Sequence, residues 1–389
     1  MIYEPFHKPT LIKAALPGDK MSLMLLGLDY ELFFGQRTGS VEHCMLHPTE
    51  ALVAALEAAN TRHSPKITLF VDACYLLRLK QLERLHPELQ LRRSAIQRQL
   101  NRLSLKGHSI QLHIHPHWLD SDYQDGSWIT DTSRYRLHDL DAREKASLII
   151  ESKQLLEECS EANVFAYRAG GWCLQPFDQI ADALSDAGIW MDSTVYSGGL
   201  CEDPLRSFDF RGAPDKSHWT FDTDPLKEDQ QGRFVELPIS QQQVSPLFFW
   251  RMAWLKKFGN ADDIKPFGDG ASMVAHSAYY LERLTRHSAG PASIDGIKGD
   301  LLEDAWQQHC SDNPAGYFNV MGHPKALTQR SITRLVEFLE RHQDVELVGF
   351  EELEHLKPAQ LNTPEMPQLV LNQLEEQPKV HQPLKRAFG

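Results

Sequence analysis

Short apolar runs alternate with longer amphipathic stretches from residue 21 to about residue 350. The runs have the length of buried strands, and the stretches between them carry apolar residues at helical spacing. Strand followed by helix, repeated this often, predicts parallel strands joined by helical crossovers and therefore an α/β fold. The predicted strands are 22–31, 66–73, 108–115, 164–170, 189–195, 233–239, 317–323 and 345–350, and the predicted helices are 48–60, 93–106, 141–158, 176–187, 273–286 and 328–342.

The number of these units favours a distorted parallel (β/α)7-8 barrel with loop insertions over an open sheet. Residues 196–232 are polar and rich in Gly, Asp and Pro, which predicts a long insertion. The Pro- and Gln-rich end of the chain predicts an irregular C-terminal tail. We therefore divide the chain into an N-terminal extension over 1–20, the barrel over 21–356 and the tail over 357–389.

The composition is that of a globular enzyme, with 42% apolar and 24% charged residues among 389. A formal net charge of −13 argues against a nucleic-acid partner, because no basic surplus exists to neutralise phosphates. The six cysteines include no CxxC pair, which argues against a zinc ribbon or a disulfide framework. No apolar run predicts a transmembrane segment and no signal peptide is apparent, so we expect a cytoplasmic protein. The sequence does not determine the oligomeric state.

An aromatic helix candidate covers residues 244–258, VSPLFFWRMAWLKKF. Its apolar stripe is typical of a helix that packs on the core of its own protein. With Arg251, Lys256 and Lys257 beside it, the stripe also fits weak contact with a membrane or a lipid-linked glycan. Both interpretations stay open at this point.

Ionisable residues gather at the C-terminal ends of the predicted strands, where α/β barrel enzymes place their active sites. Side chains alternate along a strand, so Asp29 and Glu31 share one face, and His113 shares its face with His115. The residues at strand ends are Asp29, Glu31, Asp72, His113, His115, His117, Arg168, Asp192 and His323.

Three histidines within five residues, near two carboxylates, form a credible ligand set for a divalent metal ion. Such an ion lowers the pKa of a bound water toward about 7 and polarises a carbonyl group. A lone Asp72 is explained equally well as a helix cap. The histidine cluster is harder to explain by packing alone.

Five motifs in this order resemble the polysaccharide deacetylase family, the NodB-like carbohydrate esterases. The resemblance extends from about residue 22 to about residue 350. It departs from the family pattern where Tyr30 separates two acids that are usually adjacent and where His115 adds an imidazole. The motifs are Asp29-Tyr-Glu31, His113-Ile-His-Pro-His117, Arg168-Ala-Gly-Gly-Trp172, Trp190-Met-Asp192 and Met321-Gly-His323.

The resemblance implies a metal-dependent hydrolase that removes the acetyl group from an N-acetylated sugar in a polysaccharide or glycolipid precursor. Glu31, His113 and His117 would hold the metal, with zinc foremost among the first-row divalent ions. Asp29 and Glu31 could exchange the roles of base and ligand. Asp72 and His115 are second-tier site residues with no role supplied by the family.

The resemblance also implies a base and an acid. Asp29 would take a proton from water, with Arg168 pairing with it and orienting it. His323, polarised by Asp192, would protonate the leaving amine, which leaves poorly without a proton. Trp172, a further second-tier residue, either lines a sugar pocket or packs in its loop.

Two other functions remain open from the residues. A metal-free glycoside hydrolase could use Asp29, Glu31 and Asp72 as acid and base, but it leaves the histidines without a role. A non-catalytic carbohydrate-binding protein could use the same scaffold, although it would need neither a base nor an acid.

Overall fold

The computed structural model describes residues 22–35, 37–271 and 283–359. The predicted extension over 1–20 lies outside these residues, as do nearly all of the predicted tail over 357–389 and most of the predicted helix 273–286. Within them, a curled sheet with helices packed on its outer face forms the main body.

The strands include all eight that the pattern predicts, together with short ones inside the loops. They are β1 Ser22–Tyr30, β2 Thr68–Asp72, β3 Ser109–Ile114, β4 Asp122–Gln124, β5 Ser127–Ile129, β6 Ala166–Ala169, β7 Met191–Asp192, β8 Leu200–Glu202, β9 Ser207–Asp209, β10 Trp219–Phe221, β11 Phe234–Glu236, β12 Gln241–Val244, β13 Ser288–Pro291, β14 Phe318–Gly322 and β15 Val345–Val348.

Several helices begin where the sequence supplies a start signal. Pro lies in the first turn of three of them, and an Asp141–Glu144 capping box begins another. The α-helices are α1 His47–Ala58, α2 Ala73–Leu82, α3 Pro87–Leu105, α4 Ala142–Ser160, α5 Asp178–Asp186, α6 Pro246–Phe258, α7 Ala261–Ile264, α8 Leu302–Asp312 and α9 Gln329–Arg341; a π-helical turn covers Glu42–Leu46, and 3-10 turns cover Pro116–Leu119, Leu137–Asp139, Gly170–Trp172, Gly296–Leu301, Pro324–Ala326 and Phe350–Leu356.

The main sheet has the strand order β10-β11-β7-β6-β3-β2-β1-β14, and β15 also pairs with β1. Every pairing is parallel except that of β10 with β11. The predicted α/β class and the curled, barrel-like sheet are therefore confirmed.

The predicted (β/α)7-8 barrel is not confirmed as a closed barrel, because no strand ladder among the described residues joins β14 to β11. Isolated hydrogen bonds and one isolated bridge are found near this gap instead. The Ser240 amide donates to the Asn319 carbonyl at 2.8 Å, and Ser293 forms an isolated parallel bridge with Met321. The Asn319 side-chain amide also donates to the carbonyls of Leu237 and Pro238.

The two faces of β1 show why the site lies where it does. Leu26 and Leu28 point outward into the core that the helices cover. Leu25 points inward to a second core that the Phe350–Leu356 turn closes at the bottom of the sheet. Further along the same inward face come Asp29 and Glu31, so polar side chains occupy only the end above this floor.

The aromatic helix α6 packs by one face only. Phe248 and Phe249 are buried in a small cluster with Ile297. The opposite side keeps large side chains in solvent: Leu247 is 76% exposed, Trp250 and Trp254 are each 58% exposed, and Phe258 is 62% exposed. Among the described helices, none has the length and apolar character that crossing a bilayer requires.

Candidate active site

A cavity of about 300 Å³ opens at the C-terminal ends of β1, β3, β6 and β14. Most of the strand-end residues singled out by the sequence line its floor, and aromatic residues with two further cations line its walls. The lining residues are Asp29, Glu31, Phe33, Phe34, His113, His115, Tyr135, Ala169, Gly171, Trp172, Arg206, His323, Lys325 and Ala326.

Glu31, His113 and His115 form a compact cluster of donor atoms. Glu31 Oε2 lies 2.7 Å from His115 Nε2 and 3.2 Å from His113 Nε2, and the two Nε2 atoms are 3.0 Å apart. The ligands of a tetrahedral zinc ion at about 2.0–2.2 Å lie roughly 3.4 Å from one another. The three donor atoms, slightly closer together than this, are near enough to share one divalent ion.

The tautomer of His113 also suits a ligand. Its Nδ1 lies 2.8 Å from the Arg168 carbonyl, to which it donates, so its Nε2 faces the cluster as the acceptor in the neutral ring. Burial lowers the pKa of His113, but the neighbouring Asp29 and Glu31 outweigh it and raise that pKa to about 9. A metal ion bound to Nε2 would displace this proton, because a ligating imidazole must be deprotonated. Burial lowers the pKa of His115 to about 4, which favours its neutral, ligating form.

Lys325, which was not identified from the sequence, binds the other carboxylate oxygen of Glu31. Its Nζ donates to Glu31 Oε1 at 2.8 Å and to the Leu32 carbonyl at 2.6 Å, and it lies over the rings of Phe33 and Phe34. Although burial raises the pKa of Glu31, Lys325 and the histidines hold it well below its usual range. Glu31 thus presents one oxygen, Oε2, to the histidines. The only signal in the sequence is a lysine two residues after His323.

His117, predicted as the third ligand, does not join this set. Its ring packs against Tyr135 and Trp118, with centroid distances of 5.6 and 5.0 Å, and neither ring nitrogen has a hydrogen-bond partner among the described residues. Burial lowers its pKa to about 2. The reason is local: Pro116 ends the strand and begins a 3-10 turn, so the two-residue alternation that brings His113 and His115 together stops before His117.

Asp29 lies beside this cluster and is paired with Arg168. Arg168 is completely buried, and its Nη1 donates to Asp29 Oδ1 at 2.9 Å while its Nε donates to the Ser193 carbonyl at 2.7 Å. A Cβ at position 27 would lie 2.6 Å from Arg168 Nη2, so only glycine leaves room for the guanidinium. The strands β1 and β6, with Ser193 directly after β7, thus hold the predicted pair of Asp29 and Arg168 in one geometry.

His323 follows β14, the neighbour of β1 in the sheet, and faces the same carboxylates. Its Nε2 lies 3.6 Å from Asp29 Oδ2 and 3.8 Å from Glu31 Oε1. Its Nδ1 lies 2.8 Å from Asp295 Oδ2, and its backbone amide donates to Asp295 Oδ1. Burial opposes the charged imidazolium, but Asp295 outweighs this effect and raises the pKa of His323.

The predicted partner of His323, Asp192, is therefore replaced by Asp295. Asp192 accepts bonds from the amide and hydroxyl of Thr194, and it lies opposite Glu236 in the β7–β11 pairing. Burial raises the pKa of Asp192 to about 6 and that of Glu236 well above its usual range. Asp295 reaches His323 because the bridge between Ser293 and Met321 lays its segment along β14. The available signal was Asp295 directly after Ala292-Ser-Ile294, a short run whose two apolar residues are buried.

The two remaining second-tier residues, Asp72 and Trp172, differ in whether they line the cavity. Asp72 lies below the cavity, completely buried, with its Oδ2 accepting a 2.7 Å bond from the Trp118 indole, and burial raises its pKa to about 7. Trp172 lines the cavity and is half-buried against Tyr196 and Phe208. Its φ of +60° lies in the left-handed region that a bulky side chain rarely adopts. Such backbone strain is typical of residues held in place at functional sites.

No family model and no curated protein matches the chain. Among solved structures it is similar to a protein assigned as a polysaccharide deacetylase from Mycobacterium smegmatis, with 17% identity and a TM-score of 0.43 over 90% of this chain and 95% of that one. It is similar to a GH57 branching enzyme from Thermococcus kodakaraensis, with 11% identity and a TM-score of 0.41 over 86% and 70% of the two chains. A peptidoglycan deacetylase from Bacillus subtilis matches with 13% identity and a TM-score of 0.29 over 93% and 98%.

Two of these three proteins are deacetylases, the class that the motif order resembles. All three TM-scores lie below 0.5, so none of them assigns a reaction to this chain.

Proposed function

We propose that the chain is a metal-dependent hydrolase that removes the acetyl group from an N-acetylated sugar in a polysaccharide or glycolipid precursor. The observation that carries this proposal is the placement of a base and an acid beside a cluster of metal donors. Asp29 is oriented by Arg168 and His323 by Asp295, and His323 Nε2 lies 3.6 Å from Asp29 Oδ2 and 3.8 Å from Glu31 of the cluster. Hydrolysis of an amide needs both, because water must lose a proton and the amine must gain one.

The ligand set that we propose is Glu31, His113 and His115, which replaces His117 of the sequence-based set. Imidazole and carboxylate donors suit zinc and other first-row divalent ions. When bound, such an ion polarises the acetamide carbonyl and increases the acidity of water. Asp29 would accept the proton of the attacking water on Oδ2, while Oδ1 stays bound to Arg168. His323 would then deliver the Nε2 proton to the leaving amine.

The two other functions make different demands on the site. A glycoside hydrolase that uses paired carboxylates has no use for the three donor atoms, and Asp72 is not available to it because its carboxylate lies buried against Trp118. A binding protein has no use for the two oriented pairs. The histidine and carboxylate geometry thus favours the deacetylase.

Acetate release from a panel of N-acetylated saccharides tests the proposed function, with chelator and then with zinc added back. We expect acetate to appear, to stop with chelator and to return with metal. New reducing ends without acetate, unaffected by chelator, would instead indicate the glycosidase. Binding of saccharides without either product would indicate the binding protein.

Replacing Asp295 with Asn should shift the pH profile of the reaction. The carboxylate raises the pKa of His323, so without it the imidazolium that donates the proton is lost at lower pH. We expect the alkaline limb of the kcat profile to move to lower pH and kcat at neutral pH to fall. The profile of the variant is measured by acetate release across the pH range.

Asp192→Asn is the matched control for that experiment, because Asp192 is the partner that the sequence predicted for His323. If Asp295 is the true partner, the alkaline limb of Asp192→Asn stays where it is in the wild type. A shift in Asp192→Asn, with none in Asp295→Asn, would restore the original pairing.

We propose further that the exposed face of α6 rests on an anionic membrane surface, where a lipid-linked saccharide would be found. All three large aromatic side chains that are exposed among the described residues, Trp250, Trp254 and Phe258, lie on this helix. Lys256 and Lys257 follow in its last turn, and the described residues offer neither an ion pair. Tryptophan beside lysine is typical of helices that lie in the interface of anionic bilayers.

Vesicle flotation tests this surface. We expect the protein to float with phosphatidylglycerol vesicles, to float less with phosphatidylcholine alone, and to lose binding when Trp250 and Trp254 are both replaced by Ala. Leu91→Ala removes an apolar side chain from α3 that is more exposed, at 72%, and should leave binding unchanged. Failure of the wild type to float, or a dimer in sedimentation that the Trp variants dissociate, would contradict the membrane assignment.

A further inference from the structure

Arg206 is a cation on the wall of the cavity for which the deacetylase mechanism has no use. It lies in the turn between β8 and β9 and is half-buried, and its Nε is inaccessible to solvent. Neither a hydrogen bond nor an ion pair to its guanidinium occurs within the described ranges. An acid of the same turn, Asp203, accepts the Leu205 amide with its carboxylate at 2.9 Å.

Other arginines of this region are paired. Arg211, in the same insertion, bonds the Asp209 carboxylate at 2.6 Å, and Arg134 bonds that of Asp120 at the same distance. A partly desolvated guanidinium without an acceptor is unfavourable unless a ligand supplies one. Arg206 therefore differs from these arginines: it lines the cavity, and the N–H donors of its guanidinium have no acceptor among the described residues.

Tyr135 and Arg206 both pack closely against the backbone at Gly171. A Cβ on Gly171 would lie 2.7 Å from the Tyr135 hydroxyl oxygen and 3.2 Å from Arg206 Cδ, so both side chains close in on a position that only glycine leaves open. The next residue, Trp172, presents its indole to the same cavity. Tyr135 also connects this wall to the donor cluster, since its ring centroid is 5.4 Å from that of His115.

The charges of the cavity floor make this cation significant. Asp29, Glu31 and Asp295 gather there, and Lys325 and Arg168 are already bound to carboxylates. An anionic group would be repelled from this floor unless a cation held it at the wall. A planar guanidinium beside a hydroxyl donor matches the oxygens of a carboxylate or a phosphate.

We propose that Arg206, with the Tyr135 hydroxyl, binds an anionic substituent of the saccharide, so that the preferred substrates are acidic N-acetylated glycans. This inference rests on the proposed function for its saccharide and adds the charge of the substrate. The sugar that carries the anion would stack on Trp172. Tyr135 would then lie between this sugar and the donor cluster. The anion is a carboxylate or a phosphate, because both present negatively charged oxygens that accept hydrogen bonds from a guanidinium.

Binding and turnover of three disaccharides test the proposal. The neutral probe is diacetylchitobiose, and the anionic probes are its 6-phosphate and the disaccharide of N-acetylglucosamine with glucuronate. Binding is measured by calorimetry on metal-loaded Asp29→Asn protein, in which turnover is blocked, and kcat and KM are measured on the wild type. We expect the anionic probes to bind about 10- to 100-fold more tightly than the neutral one.

Arg206→Gln should remove this preference by raising KM for the anionic probes while kcat changes little, and Arg206→Lys should restore part of it. Arg211→Gln, which removes a paired cation of the same insertion, should keep the preference. Tight binding of only one anionic probe supports the proposal and identifies the source of the anion. Equal binding of all three probes, or an equal loss for all three in Arg206→Gln, would overturn it. Absence of acetate release contradicts the proposed function alone, since the calorimetric comparison does not depend on turnover.

Discussion

Replacing Asp29 with Asn should lower kcat for acetate release by about 10²- to 10⁴-fold, the usual contribution of a general base. The Asn amide has nearly the shape of the carboxylate, and its oxygen still accepts the bond from Arg168 Nη1 that Asp29 Oδ1 accepts. What the amide cannot do is take a proton from water. Metal content, measured by elemental analysis, should stay at the wild-type level because Asp29 is not in the donor cluster.

Asp120→Asn is a matched control, since Asp120 also pairs with an arginine, Arg134, but lies away from the cavity. We expect it to change kcat by less than about twofold, because ion pairs that solvent reaches contribute little. Wild-type kcat in Asp29→Asn would place the base elsewhere. Loss of metal in Asp29→Asn would instead make Asp29 a ligand, the exchange of roles with Glu31 that the sequence left open.

Replacing His115 with Phe should remove the metal ion, and replacing His117 with Phe should not. His115 Nε2 is one of three donor atoms within 3.2 Å of one another, whereas the His117 ring lies among Phe34, Tyr135 and Trp118. We expect the metal affinity of His115→Phe to fall by more than about 100-fold. Mutating a residue that only hydrogen-bonds to a metal ligand already lowers metal affinity by about 10- to 100-fold. Titration with zinc, followed by elemental analysis, measures the difference.

The two substitutions are matched because each places the same ring in a buried aromatic setting. His117→Phe also removes two buried nitrogens that have no hydrogen-bond partner in the described residues, so its Tm should equal or exceed that of the wild type. If His117→Phe loses the ion while His115→Phe keeps it, the ligand set is Glu31, His113 and His117, as the family resemblance implies.

Periodicity alone located the scaffold and the site. All eight predicted strands occur in the curled sheet, because a strand buried on both faces must be apolar along most of its length, which the sequence displays directly. Three helices were missed, α2, α8 and the four-residue α7. α2 starts immediately after β2 with an apolar stretch that resembles a continued strand, and α8 follows a segment that gives no helical start signal.

Strand parity also predicted part of the site correctly. Asp29 and Glu31 face the cavity together, as their two-residue spacing requires, and His113 and His115 do the same. Parity could not place His117, because the turn geometry after Pro116 depends on how the chain leaves the sheet. The family motif pointed to His117, whereas the alternation of the strand itself pointed to His115.

The sequence by itself determined the α/β class, the end of the sheet where chemistry gathers, and the types of donor present there. Only the tertiary structure decided which distant groups meet, Asp295 with His323 and Lys325 with Glu31. The physical reason is that strand positions follow a local two-residue repeat, which a sequence displays, whereas these pairs join residues 28 and 294 positions apart in the chain. Such pairings depend on how the sheet curls and how its loops cross, and no local pattern records either.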